Sequence, residues 1–171
     1  MKSIGVVCGW IAFLSLASVL AIGAQSACGA VEIKGQVIVV RDGDTFDLKT
    51  GSRTKVRVRL AKIDAPEIMQ ASGPAARSNL EKLVMGQFVV VDELEPDRYG
   101  RTVGRVWRQG LDVNGEQIRA GYAWAYPSFH PPKAYVDWES EAKRSKRGLW
   151  ADPYPLPPWD YRHSNKGRKR H

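Results

Sequence analysis

Between Lys55 and Leu60 the chain alternates without a break: Lys55, Arg57 and Arg59 are charged, and Val56, Val58 and Leu60 are apolar. A period of two sends successive side chains to opposite faces of an extended strand, whereas a helix would scatter these six around its circumference. One face is therefore core, and the other is cationic and borders solvent or an anion. Neighbouring segments fit the same scheme. Ile33 to Arg41 holds the β-branched run Val37-Ile38-Val39-Val40, Asp42-Gly43-Asp44 reads as a turn, Thr45-Phe46-Asp47-Leu48 starts a return strand, and Gly51-Ser52 turns again. Gln87 to Asp92 and Thr102 to Trp107 predict two further strands.

Helical signals come later in the chain. Ala76, Leu80, Leu83 and Val84 have helical spacing over 75–85, with Gly86 as a stop. Asp112 is placed to cap a short helix that runs through Ala120 and ends at Gly121. Lys133 to Arg147 predicts an amphipathic helix with Tyr135, Trp138 and Ala142 on one face. The Pro-rich stretch from Asp152 to Trp159 predicts an extended surface segment, neither helix nor central strand. Five short strands with about three helices in 171 residues predict an α+β fold, a five-stranded β-barrel of the oligonucleotide/oligosaccharide-binding (OB) type carrying helices.

The net charge of +8 is unevenly spread. Residues 28–161 hold 20 Lys/Arg against 18 Asp/Glu, whereas Arg162 to His171 holds five Lys/Arg and no acid. The basic excess therefore reads as a C-terminal appendage over 152–171, Pro-rich and then basic. It is either a cationic tail that attracts polyanions without choosing among sequences or simply a solvated end. At the other terminus, Met1-Lys2 precedes 21 uncharged residues from Ile4 to Ala24, and Ala24-Gln25-Ser26 offers small residues for cleavage. Residues 1–27 thus predict an export signal and a secreted or periplasmic protein, with an uncleaved membrane anchor as the alternative. Cys8 falls in that segment and Cys28 stands alone after it, which excludes a disulfide framework and a zinc motif in the domain over 28–151.

The chemistry gathers in two acidic segments, Asp42-Gly43-Asp44-Thr45 and Ile63-Asp64-Ala65-Pro66-Glu67, and in Arg59 and Asp97-Arg98-Tyr99-Gly100-Arg101. Asp44, Asp64 and Glu67 repel one another if brought together, so they imply a cation between them or scattered exposure. Oxygen-only ligands favour calcium or magnesium over zinc. An EF-hand is excluded, because position 12 counted from Asp42 is Arg53 and not a bidentate Glu. Guanidinium groups hold phosphate in a bidentate way and stabilise the charge of phosphoryl transfer. Arg59 and Arg101 therefore read as phosphate ligands, while Lys55 and Arg57 read as a solvated strand face. Of the three histidines only His130 and His163 could come near these residues, so a His-based nuclease is disfavoured.

In this order and spacing the motifs, closed by Gly148-Leu149-Trp150, resemble the staphylococcal (micrococcal) nuclease family from about Gly35 to Trp150. The resemblance implies an OB-type barrel with helices and a calcium-dependent phosphodiesterase that acts on DNA and RNA and leaves 3′-phosphate ends. By matching position it implies Asp44, Asp64 and the backbone carbonyl of Ala65 as calcium ligands. Ala65 stands where well-known members have Thr, which a main-chain ligand tolerates. Glu67 would orient or deprotonate the attacking water. Arg59 and Arg101 would hold the scissile phosphate, and Arg98 and Tyr99 a neighbouring one. Tyr126 falls near the family's paired tyrosines and would stack a base or join the core, where Trp124 also belongs. A monomer with no protein partner is expected. The competing reading is a non-catalytic nucleic-acid-binding barrel, a class that typically loses the acids or arginines kept here.

Overall fold

The alternating segments become strands. A computed structural model describes residues 32–168 and shows β1 (Ile33–Val40), β2 (Thr45–Thr50) and β3 (Lys55–Leu60) as an antiparallel meander. A two-residue strand, β4 (Ile63–Asp64), then leads to α1 (Gly73–Val84). Next come β5 (Phe88–Pro96), β6 (Thr102–Arg108), β7 (Leu111–Asp112), α2 (Val113–Arg119) and β8 (Trp124–Ala125). The chain finishes with α3 (Lys133–Arg144) and α4 (Pro158–Arg168). The proposed signal or anchor, Cys8 and Cys28 lie outside the described residues. Among the described residues no helix is long and apolar enough to cross a membrane.

The strand order is β3-β2-β1-β5-β6-β7, and β3 also pairs in parallel with β6 through Val58–Thr102, Arg59–Val103 and Leu60–Gly104. That pairing closes β1, β2, β3, β5 and β6 into the expected five-stranded barrel. Its interior takes the inward positions of every strand, including Val37, Phe46, Leu48, Val58, Leu60, Val91 and Val106. Ala76, Leu80 and Val84 of α1 and Val113 and Ile118 of α2 close one side of it. Asp112 caps α2 as expected, its carboxylate accepting the Gly115 N–H at 3.0 Å. Tyr135 buries the face of α3 and donates its hydroxyl to the same carboxylate at 2.9 Å. A second apolar cluster of Trp124, Ala142, Leu149 and Trp150, with Trp159 against it, lies beyond the barrel.

Two expectations need correction. Lys55 and Arg57 do not merely face solvent. Asp47, buried on β2, accepts Arg41 at 2.6 Å, Lys55 at 2.8 Å and Arg57 at 3.2 Å, so the cationic stripe is built on an anion. The C-terminal stretch is not extended throughout, and its basic residues do not simply trail away. Pro158 starts a fourth helix that carries Arg162. Proline is well tolerated in a first turn, where its missing N–H would have had no helical partner.

Candidate active site

Three short backbone pieces deliver the acids. Asp44 follows β1 in a tight turn, in which Asp42 accepts the Asp44 N–H at 3.0 Å and the Asp44 carbonyl accepts the Leu60 N–H at 2.8 Å. Gly43 passes so close to the next pieces that a Cβ there would lie 2.7 Å from the Cβ of both Ala65 and Ala76, a contact that only glycine avoids. Asp64 is supplied by β4, where it pairs opposite Trp124 of β8. Glu67 follows the break at Pro66. Its N–H donates to Gln70 Oε1 at 2.7 Å, and Gly73 packs directly against its carbonyl.

Arg59 ties two of these pieces together. It projects from the cationic face of β3, donates Nη1 to Asp44 Oδ2, and donates Nη2 to Asp64 Oδ1 at 3.0 Å. The Ala65 N–H donates to Asp44 Oδ2 at 3.1 Å and the Thr45 hydroxyl to Asp44 Oδ1 at 2.9 Å. Asp44 and Asp64 therefore flank a single guanidinium whose side chain is only 12% exposed. Burial alone would raise the Asp44 carboxyl, but the charge of Arg59 and the Ala65 N–H outweigh it and hold Asp44 below the usual carboxylate range. Asp64 goes the other way: burial, aided by the nearby Asp44 charge, pushes it up against the pull of Arg162 and Arg59. Asp42, half-buried, is pushed up to about 7 by desolvation and by the neighbouring Asp44 charge. Burial opposes the charge on Arg59, yet the two aspartates hold its pKa above the ordinary value.

Arg162 of α4 is the site residue that sequence reading missed. Its Nη2 donates to Asp64 Oδ2 at 2.7 Å, and its Nη1 to Asp64 Oδ1 at 3.2 Å and Glu67 Oε1 at 2.8 Å. No local signal marks it, since its partners lie far back in the chain and the tail composition reads as a polyelectrolyte. Gln70 was missed for a similar reason. While its Oε1 holds the Glu67 backbone, its Nε2 donates to the Leu156 carbonyl at 3.0 Å.

The donor set suits a hard cation. Asp44, Asp64 and Glu67 offer only oxygens, and Arg162 already places positive charge between Asp64 and Glu67. Among the described residues no three His, Cys, Asp or Glu side chains stand together closely enough to hold an ion, because guanidinium groups occupy the space between these acids. Asp44, Asp64 and the Ala65 main chain are the groups that would hold one, with Glu67 beside them.

Arg59 and the acids open onto a cavity of about 760 Å³ whose far wall is basic and aromatic. Arg98, Tyr99 and Arg101, from the turn between β5 and β6, line it. Arg101 also donates through Nε to Asp97 Oδ2 at 2.7 Å, so its ion pair is with its own turn and not with Asp44, Asp64 or Glu67. Arg98 and Arg101 both lie near the Tyr99 ring, 4.9 and 5.5 Å from its centroid. Tyr126 lines the cavity too, meets Phe129 edge-on, and has one ring face stacked by Trp159 at 5.2 Å. It is therefore neither plain core nor a bare stacking platform. Trp124 is core, as expected. The described structure thus gathers Asp44, Arg59, Asp64, Ala65, Glu67, Arg98, Tyr99, Arg101 and Tyr126 around one site.

The family model described as "Staphylococcal nuclease homologue" matches residues 57–152. The chain is 39% identical over 170 residues to "Protein ParB" of Escherichia coli, covering 92% of this chain and 95% of the relative. It is 42% identical over 133 residues to an "Uncharacterized endonuclease" of Escherichia coli O157:H7, covering 77% and 86%. It is 40% identical over 146 residues to a "Micrococcal nuclease" of Shigella flexneri, covering 79% and 83%.

Proposed function

The chain belongs to the staphylococcal nuclease homologue family, and from that membership and the site geometry we propose that it is a calcium-dependent nuclease hydrolysing the phosphodiester bonds of DNA and RNA to leave 3′-phosphate ends. The observation that carries this reading is the bridging of Asp44 and Asp64 by Arg59 at the edge of a basic cavity. It puts oxygen ligands and a phosphate-binding cation within one side chain's reach.

Asp44, Asp64 and the Ala65 carbonyl would hold the ion. When bound, calcium supplies a Lewis acid for a phosphate oxygen and a position for water. Glu67, beside them and open to the cavity, aligns the attacking water in line with the departing oxygen and takes its proton. Arg59 and Arg101, which line the same cavity, hold the non-bridging oxygens and meet the charge that develops there. Arg98 and Tyr99 take the adjoining phosphate, and the Tyr126 edge guides a base.

The test is hydrolysis of high-molecular-weight DNA with calcium, with chelator, and by Glu67→Gln. We expect a chelator to abolish cleavage and Glu67→Gln to slow it by about 10²–10⁴-fold. Undiminished cleavage by Glu67→Gln removes that residue from the reaction. DNA binding without cleavage under any divalent ion supports the non-catalytic barrel instead.

A further inference from the structure

The stretch matched by the family model stops at residue 152, yet α4 beyond it reaches the site. Its first turn is firmly seated. Pro158 is buried, Trp159 stacks on Tyr126 at 5.2 Å with planes 19° apart, and Trp159 meets Trp124 edge-on at 6.2 Å. Just before the helix, the Leu156 carbonyl accepts from Gln70, the residue that holds the Glu67 backbone. Arg162 lies three residues past Trp159, so both project from the same side of the helix one turn apart. Its fork spans both Asp64 oxygens and one Glu67 oxygen. The two arginines at these acids differ in access: Arg59 is 12% exposed and enclosed, whereas Arg162 is 37% exposed and can swing outward without breaking the seat at Trp159.

Three carboxylates face two guanidinium groups here, and a divalent ion on Asp64 must take oxygens that Arg162 now holds. We propose that Arg162 is a positioning residue that holds Asp64 and Glu67 as a tethered counter-ion and competes with the divalent ion for their oxygens, so that α4 sets how much calcium the site requires. This inference rests on the reading above that Asp44 and Asp64 take the ion.

The test is calorimetric titration of calcium into the full chain without nucleic acid, so that the readout is ion binding and not turnover. Arg162→Gln removes the competitor, and its apparent Kd for calcium should fall about tenfold. Arg162→Lys keeps the charge on a flexible stem without the fork and should restore part of the difference. Trp159→Ala leaves the arginine but loosens its seat and should shift affinity in the same direction as Arg162→Gln, which keeps the test usable if the first variant folds poorly. Calcium bound by both proteins with equal affinity overturns the proposal and leaves the nuclease reading standing. Weaker binding by Arg162→Gln also overturns it, since Arg162 would then be supporting the ion site. No calcium bound by either protein overturns both readings.

Discussion

A single buried carboxylate, Asp47, pairs with three cations on the barrel wall. Hydrogen bonds from Arg41, then Lys55 and Arg57, overcome the effect of burial and hold it well below the usual carboxylate range. The folded pKa is thus lower than the unfolded value of about 3.9, so the stabilisation is complete above that pH and fades as the pH falls below it. Asp47→Asn should therefore cost about 2 kcal/mol in urea unfolding at pH 7, a figure discounted because the three partners are partly exposed, and measurably less at pH 3, where the decline has begun. An equal loss at both pH values would contradict the ion-pair account. Neither Asp47 nor Arg162 could be recognised in advance. Asp47 looks like one more outward polar position on β2, and Arg162 like one more charge in a basic tail. What gives each its role is the set of partners that folding brings to it.

Elements were easier to read than partners. The alternation of β3 and the helical spacing of Ala76, Leu80 and Val84 are local patterns, and each burial face follows from them directly. The helix α4 escaped because Asp152–Trp159 carries four prolines, and what holds the following helix is the tertiary seat of Trp159. The turn from Asp42 to Thr45 shows how closely the elements meet at the site. Gly43 lets this turn lie against β4 and α1 at once, and its carbonyl accepts Gln117 Nε2 of α2 at 2.6 Å. Gly43→Ala should cost about 1–3 kcal/mol through overpacking and carry Asp44 away from Asp64. Unfolding by urea measures the first effect and calcium titration the second. Unchanged values in both would show that the turn has room to spare.

At the scale of the molecule, the acids come from the β1–β4 segment and Arg98 and Arg101 from the β5–β6 turn, two stretches of one sheet joined where β1 pairs antiparallel with β5. Asp44, Asp64 and Glu67 outnumber the two guanidinium groups set between them, so a bound cation should favour the folded chain by mass action. Calcium at a hundred times its Kd should add about 2.7 kcal/mol and raise Tm in scanning calorimetry, and Asp64→Asn should remove that rise. An equal rise in the variant would place the ion elsewhere. The parallel seam of β3 against β6 closes that sheet into the barrel, and Arg101 sits one residue before its first rung. Such a seam joins distant parts of the chain and carries a high closure entropy. Barrel closure thus sets Arg101 two positions ahead of the residue that pairs with Arg59, so a chain with this seam unmade would keep Arg59 among its acids and lose the register that brings the second arginine level with them.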